Sequence, residues 1–109
     1  MSTDRTVITL CGSLRFRDAF ERLAADLTLA GHEVLVPTLL PAGAEPDAEE
    51  RARLGEAHLR RIESADEVLV VDVGGYVGDS TRREVEHARS RGIRVRFLEP
   101  PTEGDLVDG

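Results

Sequence analysis

The sequence predicts a small α/β domain built on one doubly wound parallel sheet of four to five strands flanked by helices, in the flavodoxin-like or Rossmann-like arrangement. Three observations lead to this prediction. Short β-branched runs alternate with helical patterns, aromatic residues make up only 4% of the 109 residues, and no internal repeat or linker interrupts the alternation. A core of Val, Leu, Ile and Ala suits strands covered by helices, and short right-handed crossovers favour parallel pairing.

The first half of the chain predicts a strand, a helix and a second strand. Residues 6–11 are mostly apolar and β-branched, and Gly12 and Ser13 end this buried strand. Apolar residues then recur at helical spacing, which places the first helix at about residues 15–30. A brief strand at residues 34–36 ends at a proline.

The second half predicts two more helices and two more strands. Residues 39–46 contain two prolines and a glycine, and this irregular loop either covers a site or simply connects its neighbours. An acidic first turn starts a helix over residues 47–64. Residues 66–73 include the most apolar run of the chain, as in a central strand. A helix at residues 80–90 and a strand at residues 93–98 complete the order.

Composition limits the expected partners and location. The 21 acidic and 14 basic residues give a net charge of -7 and form no basic patch, so neither nucleic acid nor an anionic membrane is an expected partner. No apolar run reaches the roughly 18 residues of a membrane span, and the N-terminus lacks a signal-peptide pattern, so we expect a cytoplasmic protein. Residues 1–99 are predicted to form the domain and residues 100–109 a flexible acidic tail. The exposed edges of so small a sheet favour a homodimer.

The turn after the first strand has the features of an anion site. Gly12 permits a tight turn, the new helix offers unpaired N–H groups, and Ser13 and Arg15 add a hydroxyl and a positive charge. Alternatively, Ser13 is only a helix N-cap and Arg15 only a surface residue. The chain has neither a G-x-G-x-x-G fingerprint nor a Walker A lysine, so no nucleotide cofactor is expected, and we predict no cofactor of another kind.

A carboxylate and two hydroxyls begin the predicted third helix. Helical spacing puts Thr81 and Glu84 on one face, beside the carboxyl-end crevice where open α/β sheets bind ligands. If Ser80 caps the helix, Glu84 has no capping role there. A carboxylate near the buried face then needs an ion-pair partner, a raised pKa or an open cleft. Glu84 is therefore either paired with an arginine or active as a nucleophile or general base.

His58 lies between Leu54 and Ile62 on the apolar stripe of the second helix. It is either a hydrogen-bonded core residue or a proton donor that approaches the same crevice as Glu84. Cys11 is the only cysteine, and we interpret it as a small core residue rather than a nucleophile. No set of residues has metal-ligand spacing, so no metal is predicted.

Three separated motifs resemble the nucleoside 2-deoxyribosyltransferase superfamily, which includes deoxynucleoside 5′-monophosphate N-glycosidases. They are Cys-Gly-Ser-Leu-Arg at residues 11–15, the segment 58–72, and Gly-Tyr-Val-Gly-Asp-Ser-Thr-Arg-Arg-Glu at residues 75–84. They stand in the family's order, and the resemblance extends to Leu98. It implies a flavodoxin-like fold, a dimer or larger assembly, and a small-molecule nucleoside or nucleotide as substrate.

The resemblance also implies roles for individual residues. Glu84 matches the family's nucleophile, which attacks the anomeric carbon of the sugar, and a carboxylate there stabilises an oxocarbenium-like state. His58 stands where the family has a second acidic residue, and a histidine can protonate a departing base. The implied substrate contacts are Gly12, Ser13, Arg15, Tyr76, Gly78, Ser80 and Thr81. The implied activity is that of an N-glycosidase or 2-deoxyribosyltransferase, and the alternative is a noncatalytic nucleotide sensor that uses the same crevice.

Overall fold

Strands and helices alternate along residues 6–99, the part of the chain that the computed structural model describes. In chain order they are β1 (Val7–Cys11), α1 (Arg17–Leu29), β2 (Glu33–Leu35), α2 (Ala48–Glu63), β3 (Glu67–Val70), α3 (Asp79–Ser90) and β4 (Arg94–Phe97). Short 3-10 turns precede α1 and follow β3. The predicted order of elements is confirmed. Residues 100–109, for which the sequence predicts an acidic tail, lie outside the described range.

The strands form one parallel sheet with the order β2-β1-β3-β4. Val7 of β1 pairs with Glu33 on one side, and Ile8 pairs with Glu67 on the other. The chain thus leaves β1 toward one edge of the sheet and later crosses to the opposite side, so its connections diverge between the carboxyl ends of β1 and β3. Open α/β sheets bind their ligands at such a switch point. The predicted doubly wound fold class is confirmed, with four strands between residues 6 and 99.

Apolar side chains cover both faces of the sheet. Because side chains alternate along a strand, Ile8 and Leu10 of β1 face α1, where Phe20 is fully buried. On the opposite face Cys11 packs in a second cluster with Ile62 of α2. Aliphatic residues make up most of both layers, as the low aromatic content predicts. The same alternation places Cys11 on the side of the sheet that α2 and α3 cover.

Helices α2 and α3 begin differently. Asp47 caps α2 and forms a capping box with Glu50, whose carboxylate accepts from the Asp47 N–H. Gly78 is the N-cap of α3, and no side chain caps that helix. The cap that the sequence allowed at Ser80 is therefore wrong, because Gly78 is extended and the helix already begins at Asp79. The first N–H groups of α3 are left without a side-chain partner.

The observed boundaries differ most at the end of β3. The strand ends at Val70, whereas the sequence predicted it to continue to residue 73. Val71 still donates from its N–H to the Cys11 carbonyl and stays buried, but the chain then turns into the 3-10 segment Val73–Gly75. An apolar run therefore predicts burial better than it predicts ladder pairing. Within residues 6–99, no helix is long and apolar enough to cross a membrane.

Candidate active site

A cleft of about 790 Å³ opens at the carboxyl ends of β1 and β3. The turn after β1, the loop before α2, the middle of α2 and the first turn of α3 form its walls. The loop residues that line it are Pro37, Thr38, Leu40, Pro41, Ala42, Ala44 and Pro46. This irregular loop therefore forms part of the cleft wall, and it does more than connect its neighbours. The volume lies within the range of about 300–1,000 Å³ that is typical of small-molecule sites.

Two arginines hold the loop against the cleft. Arg17 of α1 donates through Nη2 to the Leu40 carbonyl, and Arg51 of α2 donates through Nη1 to the Pro46 carbonyl at 2.6 Å. Both arginines also line the cleft. Because a guanidinium has five N–H donors, each side chain can hold the loop and still contact a bound anion.

Glu84 and His58 line the cleft, and Cys11 contacts them from the core beneath. Nε2 of His58 lies 3.6 Å from Oε1 of Glu84 and 3.4 Å from Sγ of Cys11. Together, one donor atom from each residue lies within 4.8 Å of the other two. His58 and Cys11 are buried, whereas 21% of the Glu84 side chain remains exposed. Glu84 thus occupies the boundary between the core and the cleft.

Three elements bring these side chains together. Alternation along β1 directs Cys11 toward α2 and α3, and His58 shares the buried stripe of α2 with Ile62. Glu84 follows the buried Thr81 by one turn on the inner face of α3. Since each residue comes from a different element, no local spacing marks the group. No pattern in the sequence therefore indicated that Cys11 contacts the other two residues.

Burial controls the protonation of this cluster. Loss of solvation raises the pKa of Glu84 to about 7, although a hydrogen bond from the Cys11 thiol and the charge of Arg83 oppose this rise. Burial also lowers the pKa of His58 to about 4, and the positive charge of Arg61 adds to the effect. Burial raises the pKa of Cys11 far above its usual range. At neutral pH the imidazole is therefore uncharged, and the contact of His58 with Glu84 at 3.6 Å is polar rather than an ion pair.

Polar groups from two turns line the cleft together with Glu84. Gly12 and Ser13 follow β1, and Ser80 and Thr81 belong to the first turn of α3. The Ser13 hydroxyl accepts from the Arg15 N–H at 3.2 Å, so it also caps the 3-10 turn before α1. The start of α3 adds uncapped N–H groups and the positive end of the helix dipole. These groups can hold a phosphate or the hydroxyls of a sugar.

Tyr76 forms an aromatic wall of the cleft. Its ring meets Phe16 edge-on with centroids 6.1 Å apart, and the Arg15 guanidinium lies 4.2 Å from its centroid. Arg15 itself does not line the cleft, and Arg17 and Arg51 supply the cationic lining instead. The predicted site residues that do line it are Gly12, Ser13, His58, Tyr76, Gly78, Ser80, Thr81 and Glu84.

No protein-family model matches the chain, and no curated protein matches its sequence. Among solved structures, the chain is similar to a 2-deoxyribosyltransferase from Bacillus psychrosaccharolyticus, a biocatalyst for nucleoside synthesis. The TM-score is 0.66 at 20% identity, and the match covers 88% of this chain and 77% of that one. A conserved protein from Enterococcus faecalis V583 gives a TM-score of 0.60 at 16% identity, covering 95% and 73%. At these identities the likeness establishes a shared fold.

Proposed function

We propose that this protein cleaves the N-glycosidic bond of a nucleoside or nucleotide with Glu84 as the nucleophile. The observation that carries the proposal is the partly exposed Glu84 carboxylate in a cleft that polar groups from two turns also line. The fold shared with a 2-deoxyribosyltransferase supports it. Tyr76 is partly exposed in the cleft and can contact a base, while the start of α3 can bind sugar hydroxyls or a phosphate.

The reaction proceeds in two displacement steps. One carboxylate oxygen of Glu84 attacks the anomeric carbon while the bond from that carbon to the base nitrogen breaks, and the bonding electrons leave with the base, which takes a proton from water. The sugar is then held as an ester of Glu84. Water attacks the same carbon and the carboxylate departs, so the proton that this water loses balances the one gained by the base. A second base in place of water gives transfer.

His58 positions Glu84 in this proposal. Because burial holds its pKa near 4, imidazolium is scarce at neutral pH and is a poor source of a proton for the leaving base. Nε2 lies beside the Glu84 carboxylate, while Nδ1 is buried without a hydrogen-bond partner in the described part of the chain. We therefore assign His58 to a polar contact with the nucleophile rather than to proton donation.

A panel of nucleosides and nucleoside monophosphates tests the proposal. The pure protein is incubated with each compound, free base is measured by chromatography, and thermal stabilisation is recorded in parallel. We expect at least one compound to stabilise the fold and to release base. If compounds stabilise the protein but none releases base over the whole panel, the glycosidase proposal is wrong.

The rate of base release should depend on the ionisation of Glu84. Because only the carboxylate attacks and its pKa is raised to about 7, kcat/KM should be constant above that pH. Below it, kcat/KM should fall about tenfold per pH unit. The profile is measured in the presence of a chelator, with unfolding followed at each pH so that lost structure is not mistaken for lost ionisation. A rate that stays level well below neutral pH would contradict this role.

A noncatalytic nucleotide sensor is the second candidate, and the raised pKa of Glu84 favours it. A protonated carboxyl group donates a hydrogen bond to a ligand but does not attack carbon. A sensor would be stabilised by a nucleotide without consuming it, so the same panel separates the two functions.

The predicted homodimer also stays a prediction, which light scattering of the purified protein would test.

A further inference from the structure

The donor atoms of Cys11, His58 and Glu84 lie close enough together to bind one metal ion. Zinc binds sulfur at about 2.3 Å, nitrogen at about 2.0–2.1 Å and carboxylate oxygen at about 2.0–2.2 Å, so tetrahedral angles put neighbouring donors about 3.4–3.6 Å apart. Two of the three separations are 3.4 and 3.6 Å, and the third is within 4.8 Å. We propose that these three residues bind one divalent ion of the zinc class at the bottom of the cleft.

The donor set selects the kind of ion. A thiolate and an imidazole favour zinc-class ions over magnesium or calcium, which prefer oxygen ligands. A thiolate from Cys11 and a carboxylate from Glu84 together carry two negative charges, which balance a divalent cation beside the neutral His58. Binding releases the thiol proton, because a coordinating thiol is deprotonated.

The cleft gives access to the proposed site. His58 and Glu84 line the cleft, and Cys11 lies beneath them in the core. An ion among the three would therefore be reached from the cleft, and we infer that water from the cleft supplies its fourth ligand. This is the three-ligand arrangement of an accessible zinc site, in contrast to a closed four-ligand structural site.

The other histidine and carboxylate pair between α2 and α3, His87 and Glu63, already has an arginine partner. Glu63 accepts from Arg91 at 2.9 Å and contacts His87 at 2.8 Å on the surface between α2 and α3. The arginine supplies the positive charge at this pair, and no thiol lies in it. His87 therefore provides a matched control for metal binding by a surface histidine.

Metal binding and nucleophilic attack compete for Glu84. An ion that engages the carboxylate occupies the oxygen that would attack the sugar, so zinc should inhibit base release and a chelator should restore it. This consequence depends on the proposed function, whereas binding of the ion does not. A protein that binds the ion but releases no base under any condition would therefore contradict only the glycosidase proposal.

Cobalt and zinc titrations test the site directly. Chelator-treated protein is titrated with Co²⁺ and followed by absorption spectroscopy, and zinc affinity is then measured by competition with a chromophoric chelator. We expect one ion per chain and a thiolate-to-cobalt charge-transfer band, which Cys11→Ser should remove. His58→Asn and Glu84→Gln should each weaken zinc binding roughly tenfold or more, and His87→Gln should not.

Three results would overturn the proposal. The first is cobalt binding by the unaltered protein without the charge-transfer band, a readout that does not depend on any variant folding. The second is zinc affinity that is unchanged in both His58→Asn and Glu84→Gln. The third is loss of binding in His87→Gln, which would place the ion on the surface pair instead.

Discussion

Replacing Glu84 with glutamine should reduce base release by roughly three orders of magnitude or more. Glutamine has nearly the same size, so the cleft keeps its shape, but its amide neither forms the ester nor offsets the positive charge that develops on the sugar. Initial rates of base release with the best compound of the nucleoside panel measure this effect. Binding of that compound, followed by thermal shift, should persist, because the groups around α3 and Tyr76 remain in place.

Although Glu84→Gln should lose activity, it should be more stable to unfolding than the unaltered protein above neutral pH. Burial raises the pKa of Glu84, so its contribution to folding is present at low pH and is lost as the pH rises through about 7. Glutamine does not ionise, so above that pH Glu84→Gln should be more stable than the unaltered protein, by on the order of 1 kcal/mol. A carboxylate that reduces stability while supporting turnover is typical of an active site.

Glu86→Gln is the matched control for this experiment. Glu86 is two residues further along α3, on its exposed side and outside the cleft lining. The substitution therefore removes the same charge from the same helix without altering the cleft. We expect its rate to be unchanged and its stability to shift by less than about 0.5 kcal/mol. If Glu84→Gln turns over substrate as fast as Glu86→Gln, Glu84 is not the nucleophile.

The order of elements was predictable because its signals are local. The helical spacing of Phe16, Phe20 and Leu23 and the apolar run before Asp72 each identify an element without knowledge of the rest of the chain. No local pattern of this kind indicates which strands are neighbours in the sheet. β2 and β3 both pair with β1, on opposite sides, and helices pack on both faces of the sheet.

Individual contacts in the cleft were less predictable than its location. Cys11 is buried as the sequence predicts, but its contact with His58 depends on the rotation of α2 against the sheet. Arg15 follows a turn suited to anions, yet its guanidinium stacks on Tyr76, which lies far along the chain. Arg17 and Arg51 line the cleft although no motif indicated them, since their hydrogen bonds are to backbone carbonyls of an irregular loop.

Gly12→Ala should destabilise the fold by roughly 2–4 kcal/mol. The residue has φ of +152°, a conformation that L side chains rarely adopt, and an added Cβ would lie 2.8 Å from the Val71 carbonyl oxygen and 3.4 Å from the Phe20 ring. The Val71 carbonyl belongs to the backbone, so it cannot rotate away as a flexible side chain would. Urea unfolding at neutral pH, analysed with a common slope, measures the change.

Gly55→Ala separates strain at this turn from a general effect of replacing glycine. Gly55 lies within α2, where an added Cβ meets nothing within 4 Å, so alanine should stabilise the protein by about 0.5–1 kcal/mol through its higher helix propensity. If Gly12→Ala lowers the free energy of unfolding and Gly55→Ala raises it, the turn after β1 requires close backbone approach to the end of β3. If the two variants have equal free energies of unfolding, the two strand ends can separate to admit a methyl group. In that case the backbone at the ends of β1 and β3 can move, and Cys11 would not be held rigidly beneath Glu84.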